Sequence, residues 1–229
     1  MRKLVLFDID GTLVLTGKAG LRGMNRALHE VFGQPRALEG IPVAGRTDWA
    51  ILTDAVRLYG RELDEALLDD LRARYVARLA EEIEHPGDGV KAVMPGIRPV
   101  LDALASRDDV LVGLLTGNFV EGARVKLGHF DLWRYFRFGA FGDDAADRNL
   151  LVPVAVDRAR AFGLPDIASR DVLVVGDTPA DVACAHAAGA TAVAVATGGS
   201  SVAELRATGA EFVFEDLANY ALLLDALER

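Results

Sequence analysis

Leu4-Val5-Leu6-Phe7-Asp8-Ile9-Asp10-Gly11-Thr12-Leu13 is the stretch from which the rest of the chain is read. Leu4 to Ile9 is a short apolar run closed by Gly11 and Thr12. It predicts a buried parallel strand that ends in a tight turn. Two later segments repeat the pattern. Val110 to Leu115 runs into Thr116-Gly117-Asn118, and Val172 to Val175 runs into Gly176-Asp177-Thr178-Pro179-Ala180-Asp181. Helical patterns at 97–106, 120–128, 150–162 and 180–188 alternate with these strands. A short strand is expected near 138–141, strands at 192–196 and 211–214, and helices at 202–208 and 217–227. Strand and helix in turn, joined by short connections, predict an α/β fold, a doubly wound parallel sheet with a Rossmann-like core.

Residues 16–92 break that alternation. Leu21, Met24, Leu28 and Val31 recur at helical steps within 18–33, and a second helix is expected over 47–59. A third, over 62–84, carries Leu63, Leu67, Leu71, Tyr75 and Leu79 on one face. His85-Pro86-Gly87-Asp88-Gly89 then ends the helical run. The expected organisation is a catalytic core of 1–15 and 93–229, with an all-helical cap of 16–92 inserted into it.

The chain has 229 residues, 51% of them hydrophobic, enough for one large core and a smaller module. Its net charge of −9 argues against nucleic acid and against an anionic membrane as partners. No apolar run approaches the roughly 20 residues of a membrane span. Asp8 and Asp10 interrupt the first apolar run too early for a secretion signal, so a cytoplasmic protein is expected. The single cysteine, Cys184, excludes an intrachain disulfide and reads as a small core residue.

In an open α/β sheet, ligands bind beyond the carboxyl ends of the strands. Here those ends carry Asp8, Asp10, Asp177 and Asp181. Four carboxylates at one edge repel one another and call for a cation. Oxygen donors beside a phosphate favour Mg²⁺. Asp8 can serve as a nucleophile, and Asp10, two residues on, as the acid and base of an aspartyl-phosphate mechanism. Thr116 offers a hydroxyl and Gly117 a backbone N–H to phosphate oxygens at the start of a helix.

These three segments, in this order, resemble motifs one, two and four of the haloacid dehalogenase-like hydrolases. A helical cap between the first two motifs is similar to the phosphoglycolate phosphatase branch. The resemblance implies Asp8 as nucleophile and Asp10 as acid/base. It implies Mg²⁺ held by Asp8, the Asp10 carbonyl and Asp177 with Asp181 in support, and phosphate bound by Thr116, Gly117 and Asn118. The family's third motif supplies a lysine, but no lysine follows Lys126. Arg148, just before a helix, is the expected substitute. Lys126 is the fallback, although its surroundings read as an ordinary amphipathic helix. In the cap, Arg46 of Gly45-Arg46-Thr47-Asp48 and Lys18 are candidates to meet a second anionic group on the substrate. Thr47 or Asp48 is expected to cap a helix.

Other motifs carry less. Gly17-Lys18 after Gly11 has neither P-loop spacing nor the following hydroxyl. Ala196-Thr197-Gly198-Gly199-Ser200-Ser201 reads as a turn into a helix, with Ser201 and Glu204 as a capping box. The four histidines lack zinc spacing. The resulting expectation is a Mg²⁺-dependent phosphatase of a small phosphorylated metabolite, monomeric or homodimeric. A sugar phosphomutase of the β-phosphoglucomutase type and a non-catalytic phospho-acceptor or metabolite-binding module are the alternatives.

Overall fold

The computed structural model describes residues 2–228. Six strands form one sheet: β1 (Lys3–Phe7), β4 (Val110–Leu115), β5 (Gly139–Ala140), β6 (Val172–Gly176), β7 (Thr191–Val195) and β8 (Phe212–Phe214). They lie in the order β5-β4-β1-β6-β7-β8, and every neighbouring pair is parallel. Successive side chains of a strand face opposite ways. In β1, Val5 and Phe7 accordingly join one apolar core with α4 (Ile97–Ala105), α5 (Val120–His129) and α9 (Ala221–Leu227). Leu4 and Leu6 join another with α6 (Leu151–Arg160), α7 (Pro179–Ala187) and α8 (Val202–Ala207). Both faces are thus covered, as the uninterrupted apolar strands predicted. Cys184 is fully buried in the second core, and burial pushes its thiol up to about 12.

From β1 the chain builds the sheet outward through β4 to β5. It then crosses back to place β6, β7 and β8 on the other side of β1. The order therefore reverses beside β1, where an open sheet leaves a crevice at its carboxyl edge.

Helices α1 (Ala19–Phe32), α2 (Asp48–Leu58) and α3 (Glu65–Glu82) gather around a third apolar cluster. Met24 and Leu28 of α1, Leu52 and Val56 of α2, and Leu71, Tyr75 and Leu79 of α3 fill it. Phe119, from the loop after β4, belongs to the same cluster and ties it to the sheet. Two short strands missing from the sequence reading, β2 (Val14–Thr16) and β3 (Lys91–Val93), pair antiparallel where the chain enters and leaves these helices. Among the described residues no helix is long and apolar enough to cross a membrane.

Candidate active site

Asp8 follows β1 directly, Thr116 follows β4 and Asp177 follows β6, so three strand ends bring them to one crevice. Asp8, Asp177 and Asp181 are each at most 6% exposed, and one carboxylate oxygen from each lies within 4.8 Å of the others. Burial, with Asp8 and Asp181 nearby, pushes Asp177 up to about 8. Burial also raises Asp8, although the Arg148 guanidinium opposes it. The cluster is short of positive charge, and its donors are hard oxygens. Both properties fit Mg²⁺. The surroundings also hold Asp177 in place. A Cβ at Gly198 would lie 1.7 Å from its Oδ2, so a side chain there would displace the carboxylate. Thr12 Oγ1 donates to its Oδ1 at 3.1 Å.

Asp181 is occupied differently. Its Oδ2 accepts from the Thr178 N–H at 3.0 Å and the Thr178 hydroxyl at 2.7 Å, closing a capping box at the start of α7. Its Oδ1 accepts from Arg148 Nη2. Asp181 thus orients the loop after β6 and the guanidinium.

Two buried cations divide three aspartates between them. Arg148, in a single turn of 3-10 helix before α6, sets Nη2 3.1 Å from Asp8 Oδ1. Lys126 comes from α5. Its Nζ lies 2.5 Å from Asp10 Oδ2 and donates to Asn118 Oδ1 at 2.6 Å. The reading of Lys126 as part of an ordinary amphipathic helix is corrected here. The residue is 4% exposed and shares the buried face of α5 with Ala123 and Leu127. Asn118 completes the bridge, since its Nδ2 donates to Asp10 Oδ2 and to Thr116 Oγ1, both at 2.8 Å. With its oxygen accepting from Asn118, the Thr116 hydroxyl keeps its proton for another acceptor.

The helical insertion reaches this floor through the loop before α2. Thr47 caps that helix, accepting from Ala50 N at 3.1 Å, while its hydroxyl donates to the Ala146 carbonyl at 2.7 Å. The Asp48 N–H donates to the Gly117 carbonyl at 2.7 Å, and Asp48 Oδ2 accepts from Phe119 N at 2.9 Å. Phe119 sits at the N-terminus of α5 and has no side chain that can cap it. A carboxylate from the insertion does so, where a helix dipole favours negative charge. Burial nevertheless pushes Asp48 up to about 7, against the pull of Lys126. A Cβ at Gly117 would lie 2.1 Å from the Arg46 carbonyl oxygen, so this approach requires glycine. Arg72 of α3 adds a second tie, 2.7 Å from Asp143 Oδ1 of the core.

Arg46 and Lys18 both border the cavity. The Arg46 guanidinium is held by Asp54 at 2.7 Å and donates to the Pro42 carbonyl at 3.2 Å. Lys18 is exposed, and among the described residues it makes no ion pair. Asp48 and Tyr75 also border the cavity, although sequence reasoning gave neither a role there. The same holds for Gly198. The Ser201–Glu204 capping box beyond it is present as expected.

The chain belongs to the haloacid dehalogenase-like hydrolases, whose sequence model matches residues 5–195, from β1 through β7. Its relatives within that family are more particular. It is 31% identical to the phosphoglycolate phosphatase of Rhodospirillum rubrum over 96% of this chain and 89% of that protein. It is 28% identical to the phosphoglycolate phosphatase of Yersinia pseudotuberculosis over 97% of this chain and 92% of that one. Among solved structures, CbbY from Rhodobacter sphaeroides in complex with phosphate is similar at a TM-score of 0.72, over 100% of both chains and at 18% identity, which is a likeness of fold.

Proposed function

We propose that the protein is a Mg²⁺-dependent phosphatase that hydrolyses a small phosphomonoester through an aspartyl-phosphate on Asp8. The observation that carries this reading is the pairing of Asp8 with Arg148 and of Asp10 with Lys126 in one cavity. Two carboxylates two residues apart are thereby held for separate tasks. Asp8 attacks phosphorus as the bond to the leaving oxygen breaks, and Asp10 donates the proton that oxygen needs. Asp10 then takes a proton from water as the water attacks the aspartyl-phosphate, which releases phosphate and restores Asp8. Lys126 and Asn118 donate to Asp10 Oδ2 during both halves, which leaves Oδ1 to carry the proton that is given and taken back. Thr116 donates its hydroxyl proton to the phosphoryl group. Asp8, Asp177 and the Asp10 carbonyl would hold Mg²⁺, which when bound offsets the carboxylate and phosphate charge. Names of the sequence relatives support the phosphatase assignment. The phosphomutase alternative draws on Arg46, whose guanidinium is paired with Asp54.

Phosphate release from an aryl phosphate tests the reading. Chelation should stop it and Mg²⁺ restore it, and Asp8→Asn should lose on the order of 10⁴–10⁶ in rate. An aryl leaving group needs little help from an acid, so Asp10→Asn should accumulate phosphate on Asp8. Acid quench and peptide mass spectrometry would locate it. Undiminished turnover by Asp8→Asn would exclude the covalent route.

A further inference from the structure

The cavity over Asp8 has a volume of about 410 Å³, and its two halves differ in kind. The floor is the polar network of the strand ends. The roof, from β2 and the insertion, presents Leu15, Leu21, Met24, Leu38, Val43 and Ile51. Leu21 and Val43 are each 38% exposed, large apolar side chains left uncovered at a cavity wall. The charged groups of the insertion that border the same space are mostly spent. Arg46 pairs with Asp54 and Asp48 caps α5, which leaves Lys18. An exposed lysine contributes about 0–1 kcal/mol to an ion pair in water.

From this segregation we infer that the substrate is a phosphomonoester whose alcohol carries an apolar body several carbons long, and that Leu21 and Val43 select it. The inference rests on the phosphatase reading and narrows it. A two-carbon carboxylate such as glycolate would leave most of the cavity to water and most of the roof without a partner. Pockets of roughly 300–1,000 Å³ hold considerably larger ligands and bury them against apolar walls. An alkyl or aryl body above the phosphoryl group would cover Leu21 and Val43 while its phosphate stayed on the floor.

A series of ethyl, butyl and hexyl phosphate, with phosphoglycolate alongside, tests this in the presence of Mg²⁺. Simple primary alcohols are nearly equal leaving groups, so a trend along the series reports contacts with the body rather than chemistry. Each buried methylene is worth about fourfold, so from ethyl to hexyl phosphate kcat/KM should rise by about tenfold if half of the four added methylenes are buried and by about 250-fold if all are. Phosphoglycolate should do no better than ethyl phosphate. Leu21→Asp and Val43→Asp should cut the hexyl-to-ethyl ratio at least severalfold. The wild-type series needs no variant to fold. A flat or falling series, or phosphoglycolate ahead of hexyl phosphate, would overturn the apolar class and leave the phosphatase standing. Release of phosphate from none of the four would overturn the apolar class, and failure to release it from an aryl phosphate as well would overturn both.

Discussion

At the strand ends, charged side chains hold one another: Arg148 holds Asp8 and Asp181, and Lys126 holds Asp10 and Asn118. Above them, the insertion contributes mainly hydrocarbon to the same cavity. The two regions obey different physics. Hydrogen-bonded charges in a buried site are directional, and one misplaced partner leaves another uncompensated. Apolar contact is non-directional and scales with area, so it tolerates substitution by steps. The floor can therefore serve one kind of chemistry, while the roof adapts to different alcohols.

The floor should break first and hardest. Arg148→Ala removes the charge between two buried carboxylates. It should cost about 10²–10³ in kcat, the range for one preorganised electrostatic contact. The carboxylates left unpaired should also destabilise the fold by about 3–5 kcal/mol, read as a fall in Tm. Arg148→Lys should recover part of both. An Arg148→Ala variant normal in rate and in Tm would remove the guanidinium from the machinery.

Lys126→Met keeps most of the side-chain volume while removing the charge and the hydrogen bonds to Asp10 and Asn118. Hydrogen bonds to charged groups are worth about 1.5–3 kcal/mol, so kcat should fall about tenfold to a hundredfold. KM should move little, because Lys126 contacts Asp10 and Asn118 rather than the alcohol. A rise in KM at constant kcat would instead make Lys126 a substrate contact and blur the line between floor and roof.

A third effect lies where floor and roof meet. Burial raises Asp48 from 3.8 to about 7, so folding favours its neutral form. That contribution is whole below 3.8 and is lost as pH rises through about 7. Asparagine has no such proton to lose. Relative to wild type, Asp48→Asn should gain about 2–3 kcal/mol between pH 5 and pH 8. The difference in Tm between the two proteins, followed across that range without divalent cations, measures it. A variant that loses ground at pH 8 would show that the ionised carboxylate, close to Lys126, is a net stabiliser.

How much of this could be read in advance follows from distance along the chain. Each strand and its terminal carboxylate are contiguous, so Asp8, Asp10 and Asp177 stood out beside their apolar runs. Arg148 was found through the family resemblance, whose third motif calls for a cation in the segment where this chain has no lysine. Lys126 was discounted because a lysine in a helix usually points to water. The contrary signal was its spacing of three from Ala123 and four from Gly122, which places it on the buried face of α5. Asp48 read as one of two candidate caps for its own helix. Its real partner, the Phe119 N–H, lies far along the chain in another element. β2 and β3 are three residues each, too short to show a period, and only their mutual pairing makes them strands.

That small ladder has a consequence for how the molecule is assembled. Thr16 pairs with Lys91, and the Gly17 N–H donates to the Val90 carbonyl at 2.9 Å, so the insertion begins and ends at neighbouring points. From the viewpoint of the sheet, everything between is one closed excursion. The entropy of closing a loop grows only with the logarithm of its length, about 0.6 kcal/mol per doubling. The sheet therefore registers little of what the excursion contains. A roof of another size or shape could be threaded between the same two anchor strands, provided that it still met the floor as Thr47, Asp48 and Arg72 do. The anchor strands and these contacts together make up the seam between the two regions.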